Sequence, residues 1–113
     1  MSCLFCDIAT KKIPAKVVRE DEYTIAFHDI NPAAPTHVLV IPKKHLTSIS
    51  DATEADAALL GHLMLAAKTV AQELGVQDGG YRIVLNTGTN GGQSVLHLHA
   101  HVLGGRALAW PPG

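Results

Sequence analysis

Histidine alternates with apolar residues over 97–103, where the chain reads His-Leu-His-Ala-His-Val-Leu. Alternate side chains of a β-strand leave the same face, so the pattern predicts a strand with three imidazoles on one face and apolar residues on the other. In a helix, His97 and His101 would align while His99 would point elsewhere. A strand sets neighbouring imidazoles roughly 6–7 Å apart, close enough to share one phosphate-sized ligand or one metal ion. We expect the fold to be organised around this strand.

The three imidazoles have three possible uses. They could be structural, each with a hydrogen-bond partner, but the chain has only seven histidines and strict alternation of three is unusual for that role. A His-x-His pair on a strand also suits a catalytic zinc or iron ion. In the third use one imidazole is a nucleophile, and its neighbours set its tautomer and neutralise charge.

The composition narrows the class of protein. A chain of 113 residues is long enough for one domain with its own core, which we expect to span residues 1–113. Nine basic and ten acidic residues leave it near neutral, which argues against binding to a nucleic-acid backbone. No stretch approaches the roughly 20 apolar residues of a membrane span, and no signal peptide is recognisable. We therefore expect a cytoplasmic protein with no membrane partner.

Periodicity and turn residues predict an α+β fold. Gly75 should end the long helix, and Ser50, Asp51 and Thr53 offer N-caps at its start. Short connections favour a five-stranded antiparallel meander with the helices on one face. The predicted elements are a short helix over 3–11, strands over 17–19, 23–27 and 37–41, a long helix from Ser50 or Thr53 to Leu74, and strands over 81–86 and 97–103.

Two loops are candidates for ligand binding. The segment 28–35 contains two prolines and Asp29, a carboxylate that could accept both ribose hydroxyls or simply cap its own turn. The glycine-rich segment 87–94 directly precedes the histidine strand, and its backbone amides could converge on an anion. Hairpin turns also need glycine, so the position beside the imidazoles is what makes this loop a candidate.

Cys3 and Cys6 are the only cysteines and form a Cys-x-x-Cys pair. In a cytosolic chain this spacing is typical of a metal half-site or a redox pair, and less so of a structural disulfide. A thioredoxin-like redox pair follows a strand, and the two residues before Cys3 are too few to form one. Two thiols in a short turn without a ligand remain the alternative.

Taken together, these segments resemble the histidine triad nucleotide-binding proteins, and the Hint branch in particular. The resemblance implies the fold just described, doubled into a homodimer with one ten-stranded sheet. It also implies hydrolysis of purine nucleoside 5′-phosphoramidates at the P–N bond. The matching segments are 27–30 (Phe-His-Asp-Ile), 35–37 (Pro-Thr-His), 41–45 (Ile-Pro-Lys-Lys-His), 91–94 (Gly-Gly-Gln-Ser), 97–103 and 110–113 (Trp-Pro-Pro-Gly).

The resemblance also implies roles for individual residues. His99 would be the nucleophile that forms a nucleotidyl-histidine intermediate, His101 would contact the phosphate, Ser94 would help protonate the leaving amine, and His37 would support the triad. The chemistry itself would need no cofactor. The implied nucleotide-binding residues are Phe5, Ile8, Phe27, Ile30 and Leu39 around the base, Asp29 at the ribose, Asn86, Gly92, Gln93, Ser94, His99 and His101 at the phosphate, and His28.

A structural zinc ion is implied as well. In some members of this family a Cys-x-x-Cys pair binds zinc together with the histidine of Pro-x-x-His and the first triad histidine. The matching residues here are Cys3, Cys6, His45 and His97. A Cys₂His₂ set suits a closed tetrahedral zinc site.

Two rival functions follow from the same residues. One is a nucleotide-binding interaction module in which turnover is incidental. The other is a dinucleoside polyphosphate hydrolase, against which the Hint-like tail at 110–113 argues.

Overall fold

The computed structural model describes residues 3–113 and contains one five-stranded antiparallel sheet with a long and a short helix, which confirms the predicted α+β class. Two short 3₁₀ turns precede the long helix. The elements are α1 (Leu4–Ala9), β1 (Val17–Glu20), β2 (Thr24–His28), β3 (Thr36–Pro42), the 3₁₀ turns Ile49–Asp51 and Glu54–Asp56, α2 (Ala57–Glu73), β4 (Tyr81–Val84) and β5 (Ala100–Gly104).

The strands lie in the order β1-β2-β3-β5-β4, so the predicted meander holds only for the first three. After β3, the 17 residues of α2 rise about 25 Å along the helix axis, enough to carry the chain across the sheet to its far edge. There β4 forms, and β5 returns antiparallel between β3 and β4. The histidine strand is therefore central in the sheet.

One face of the sheet is covered by α2. Val38 and Val40 of β3 and Val102 of β5 are fully buried against Leu63 and Val70 of the helix. This cluster buries the α2 face of the two central strands. Its burial is the main apolar stabilisation of the fold, at roughly 25 cal/mol per Å² of apolar surface removed from water.

The opposite face is covered only in part, by α1. The prediction that both helices lie on one face is therefore wrong, because β2 and β3 carry apolar side chains on both of their faces. Phe5 and Ile8 of this helix pack on Phe27, Leu39 and neighbouring apolar residues of β2 and β3. Phe5 and Phe27 meet edge to face, with ring centroids 5.5 Å apart. Six residues of helix cannot cover a five-stranded sheet, and the uncovered part of this face forms a cleft.

The long helix begins later than its sequence predicts. Ser48 and Thr53 cap the two 3₁₀ turns, and Thr53 forms a capping box with Asp56. These side chains satisfy amides of the turns, so the α-helix starts only at Ala57. It ends as predicted, because Gly75 adopts a positive φ of 74°.

The histidine strand also begins later than predicted, at Ala100 instead of His97. β3 ends at Pro42, which has no N–H to continue the ladder, and its carbonyl accepts from the His97 ring instead. The Leu98 N–H donates to the Leu46 carbonyl at 2.6 Å. The predicted alternation of faces still holds across this irregular segment, since Leu98 is buried in the core beneath α2.

Neither helix of the described residues 3–113 is long and apolar enough to cross a membrane.

Candidate functional site

The uncovered part of the sheet forms a cleft of about 1030 Å³, bounded by α1 on one side and by the loop after β2 on the other. Most of the residues implied as nucleotide-binding by the sequence line it. They are Phe5, Ile8, Phe27, His28, Asp29, Ile30, Leu39, Ser94, His99 and His101.

Sequence reasoning did not single out the remaining wall of the cleft. Ile13, Pro14, Ala15 and Lys16 connect α1 to β1 and line its far side. In the sequence, Pro14 indicates only that a helix cannot continue through it. A turn residue carries no signal of the cavity that it faces, so these positions could not be assigned from the sequence.

His99 is held in one tautomer by a backbone group. Its ring Nδ1 lies 2.7 Å from the carbonyl oxygen of His97, and both residues are buried. A carbonyl can only accept, so Nδ1 carries the proton and Nε2 keeps its lone pair. Phe5 packs edge-on against the ring, with centroids 5.1 Å apart. The arrangement leaves His99 with one nitrogen that can act as a nucleophile.

His37 and His101 form a directed hydrogen-bond chain. The Ala33 N–H donates to His37 Nδ1 at 3.0 Å, so the proton of this ring is on Nε2. His37 Nε2 lies 2.8 Å from His101 Nδ1, which must then accept. The proton of His101 is therefore on Nε2, a buried atom without a hydrogen-bond partner among residues 3–113. This unpartnered N–H lies on a ring beside that of His99, with ring centroids 4.9 Å apart.

The His37 and His101 rings are both neutral at pH 7. Burial lowers the pKa of His37 below its ordinary value, against the opposing charge of Asp29. Burial also lowers the pKa of His101 to about 4, and His99 and His37 act in the same direction. A neutral His101 is needed for the chain, because its Nδ1 must accept a hydrogen bond.

Asp29 lies at the lip of the cleft. One of its oxygens, Oδ1, accepts from the Asn31 N–H at 2.8 Å, which is the turn-capping role that the sequence allowed. The other, Oδ2, is 3.4 Å from His37 Nε2. Asp29 lines the cleft and each carboxylate oxygen can accept more than one hydrogen bond, so capping and ligand binding are compatible.

Of the residues implied as ligands in and near the glycine-rich loop, only Ser94 lines the cleft. Ser94 is exposed and lines the cleft. Gln93 instead holds the loop together, because its amide donates to the Thr47 and Val95 carbonyls at 2.6 and 3.1 Å and accepts from the Gly88 N–H at 3.0 Å. Asn86 and Gly92 are not among the residues that line the cleft.

A Cβ atom on Gly91 would lie 2.4 Å from the Thr87 carbonyl oxygen, so only glycine fits that turn of the loop. Gly92 follows with a positive φ of 81°. These two positions require glycine for backbone reasons alone.

Cys3, Cys6, His45 and His97 form a second cluster, which we call the tetrad. Their potential ligand atoms all lie within 4.8 Å of one another. His97 Nδ1 is 3.4 Å from Cys3 Sγ, 3.5 Å from Cys6 Sγ and 3.1 Å from His45 Nδ1. Cys6 Sγ and His45 Nδ1 are 3.3 Å apart. The structure thus brings together all four residues for which a metal site was implied.

The tetrad fits a zinc ion. Tetrahedral zinc with bond lengths of 2.0–2.3 Å separates its ligand atoms by about 3.3–3.8 Å, close to the distances here. His97 Nε2 donates to the Pro42 carbonyl at 2.8 Å, so Nδ1 is the nitrogen with a lone pair for the metal. Burial and the neighbouring Cys3 raise the pKa of Cys6 to about 11, so without a cation the Cys6 thiol stays protonated.

The tetrad also excludes one interpretation of the three alternating histidines, namely that they bind one metal ion together. The His97 ring turns to Cys3, Cys6 and His45, while His99 and His101 line the cleft. The three imidazoles therefore do not converge on one metal ion.

Comparison with known proteins gives the family. A family model described as HIT domain matches residues 10–108. The chain belongs to the HIT domain family. An uncharacterised HIT-like protein from Synechocystis is 54% identical over 110 residues, which cover 97% of this chain and 96% of that relative.

Two solved structures of HIT proteins share the fold. The chain matches a HIT family hydrolase from Legionella pneumophila with a TM-score of 0.97 at 52% identity, covering 99% of this chain and 100% of that one. It matches a histidine triad protein from Clostridium difficile with a TM-score of 0.93 at 42% identity, covering 96% and 95%. This HIT protein thus has the fold of the HIT family hydrolases, and the family predicted from its motifs is confirmed, while the Hint branch stays a prediction.

Proposed function

We propose that this HIT protein hydrolyses purine nucleoside 5′-phosphoramidates, with His99 as the nucleophile. The observation that carries the proposal is the hydrogen bond from His99 Nδ1–H to the His97 carbonyl, which leaves the Nε2 lone pair free. Nε2 attacks the α-phosphorus, the P–N bond to the amine breaks, and the amine takes a proton that comes from solvent through the Ser94 hydroxyl. Water then attacks the phosphorus and gives up a proton to solvent, the bond to Nε2 breaks, and the nucleoside monophosphate leaves.

His101 stabilises the charge that develops on the phosphoryl oxygens. Its buried Nε2–H has no partner among residues 3–113 and lies on a ring adjacent to His99. A donor that is fixed before the reaction stabilises a transition state without reorganisation. The His97 carbonyl does the same for the imidazolium formed on His99. Ser94, exposed in the cleft, is the hydroxyl that assists protonation of the amine.

The rest of the cleft suits a nucleoside. Phe5, Ile8, Phe27 and Leu39 are buried apolar residues that provide walls for a planar base. Asp29, which also lines the cleft, has acceptor oxygens for the ribose hydroxyls. Gln93 contributes by fixing the loop, since its amide is bonded within that loop.

We propose that the tetrad binds one structural zinc ion. The donor set is Cys₂His₂, the donor atoms are spaced for a tetrahedron, and the Pro42 carbonyl orients the His97 ring. A closed set of four protein ligands leaves no position for substrate, so the metal would stabilise the fold around Cys3 and Cys6. Free thiols used as ligands are typical of the reducing cytoplasm, the compartment we propose.

We also propose a homodimer. β4 is the edge strand of the sheet, and Arg82 on it donates to the Leu108 and Ala109 carbonyls, which holds the C-terminal segment beside this edge. Two β4 edges paired about a two-fold axis would join the sheets into ten strands. Sedimentation equilibrium tests this, and a monomer at micromolar concentration would contradict it.

The catalytic proposal is tested with adenosine 5′-phosphoramidate. We expect His99→Ala to lower turnover by about 10⁴-fold, because the attacking lone pair on Nε2 is then missing. Mass spectrometry after brief exposure of the wild type to substrate should find a nucleotide held covalently on His99. His62→Ala is the matched control, since His62 bonds Asp21 away from the cleft.

Other outcomes would favour the rivals. Tight nucleotide binding with negligible hydrolysis of every phosphoramidate would indicate a binding module. Faster turnover of dinucleoside polyphosphates than of phosphoramidates would change the substrate class. Equal rates for the wild type and His99→Ala would contradict the assignment of His99 as the nucleophile.

A further inference from the structure

His97 belongs to both histidine clusters. Its ring is part of the tetrad, with Nδ1 at 3.1–3.5 Å from His45, Cys3 and Cys6. Its backbone carbonyl accepts the hydrogen bond that fixes the tautomer of His99. One residue therefore connects the tetrad to the nitrogen that the proposed reaction uses.

The position of the His97 carbonyl is determined from two sides. Its peptide group is held by the N–H of Leu98, which donates to the Leu46 carbonyl at 2.6 Å. Its ring is held at Nε2 by the Pro42 carbonyl and at Nδ1 by the tetrad. The segment 97–99 has no strand ladder of its own, because β5 starts at Ala100. These side-chain contacts replace the missing ladder.

The tetrad also fixes the helix that packs against His99. Cys3 and Cys6 flank Phe5, and Cys3 Sγ accepts from the Cys6 N–H at the start of α1. The Phe5 ring lies edge-on to both His97 and His99, with centroids 6.0 and 5.1 Å apart. Loss of the thiol contacts would therefore loosen both the carbonyl and the apolar wall that orient the His99 ring.

We infer that Cys3, Cys6 and His45 are positioning residues for the nucleophile. They hold the His97 carbonyl where it accepts from His99 Nδ1–H, and so keep the lone pair on Nε2. This inference rests on the proposed role of His99. It extends the tetrad from a structural element to a part of the catalytic apparatus that never touches substrate.

The experiment removes the most exposed tetrad residue. His45 is exposed and contacts only tetrad members through its ring nitrogen, so His45→Ala should leave the core intact. We expect kcat for adenosine 5′-phosphoramidate to fall about tenfold, as is typical for loss of a group that orients a functional ligand, while the Kd for AMP stays unchanged. Nitrogen-15 NMR of the imidazoles should show His99 changing from one tautomer to a mixture.

Two further variants sharpen the result. Cys6→Ser removes a thiol at nearly constant volume and should produce the same loss in kcat and the same mixture of tautomers. His62→Ala removes a half-buried histidine with an equally short contact, 2.9 Å to Asp21, and should change neither quantity.

A single His99 tautomer in both His45→Ala and Cys6→Ser would overturn the inference, whatever happens to kcat. An unchanged kcat in both variants would overturn it as well. Failure of the proposed function is seen separately, because it would leave His99→Ala as active as the wild type. The tautomer of His99 is measured without substrate, so that outcome does not obscure this one.

Discussion

The two histidine clusters of this protein use the same side chain in opposite ways. In the tetrad, the ring nitrogens that face each other are only 3.1 Å apart, and the His97 nitrogen has no proton to place between them. In the cleft, every short contact between rings or to the backbone has a donor matched to an acceptor, from Ala33 through His37 to His101. The tetrad therefore offers ligand atoms spaced for a cation, whereas the rings of the cleft already satisfy one another.

The difference arises from the group that bonds the second nitrogen of each ring. A backbone carbonyl accepts the hydrogen bond from Nε2–H of His97, which leaves the lone pair of Nδ1 for the tetrad. A backbone carbonyl accepts the hydrogen bond from Nδ1–H of His99, which leaves the lone pair of Nε2 for the cleft. The chemistry of an imidazole is thus assigned by an acceptor behind it, and two residues of one alternating row acquire different roles.

Among variants that keep His99, the largest effect is expected from removing the Nε2–H donor of His101. His101→Ala removes the buried Nε2–H, and we expect kcat to fall by about 10²–10³-fold, the usual cost of removing one preorganised donor. His101→Gln, which can present an amide N–H, should recover part of the loss. Single-turnover kinetics with adenosine 5′-phosphoramidate measures both. A His101→Ala rate close to that of the wild type would show that the phosphoryl charge is stabilised elsewhere.

Removing zinc should destabilise the tetrad without disrupting the hydrogen bonds from Ala33 through His37 to His101 in the cleft. If zinc binds only the folded state, free zinc at a hundredfold excess over its Kd raises the unfolding free energy by about 2.7 kcal/mol. We expect urea unfolding of chelator-treated protein to shift by this amount when zinc is restored, with about one zinc ion per chain by metal analysis. Cys6→Ser is the control and should show a much smaller shift. Equal stability of the wild type with and without zinc would contradict a structural metal.

The same comparison shows what the sequence could predict. Alternation assigned the faces correctly, because Leu98 and Val102 lie in the core beneath α2 while His99 and His101 line the cleft. The Cys-x-x-Cys spacing indicated half of a metal site. Its other half, His45 and His97, came only from the family resemblance, since nothing local in the sequence connects residues so far apart.

The features that decide the roles were not predictable from residue types. The tautomers of His37, His97 and His99 depend on the Ala33 N–H and on two carbonyls, and every residue carries such groups. The strand order likewise depends on where α2 delivers the chain, which local periodicity does not contain. Sequence patterns identify the side chains that face a site, whereas the backbone around them sets the protonation on which the chemistry depends.

The smallest of these effects tests the neutral state of the cleft cluster. His101 has a pKa of about 4 in the folded protein, below the value of about 6.5 expected in the unfolded chain. Between these values the unfolded state binds a proton that the folded state does not, so stability is lost as pH falls from about 6.5 toward 4 and no further below that. After allowance for the partial exposure of the ring, we expect this residue to account for about 1–2 kcal/mol of the loss between pH 7 and 5. Urea unfolding at the two pH values measures it as the difference between the wild type and His101→Gln, in which the titrating group is absent. An identical loss in both proteins would mean that His101 is not held neutral, and the directed chain from His37 would then lack its acceptor.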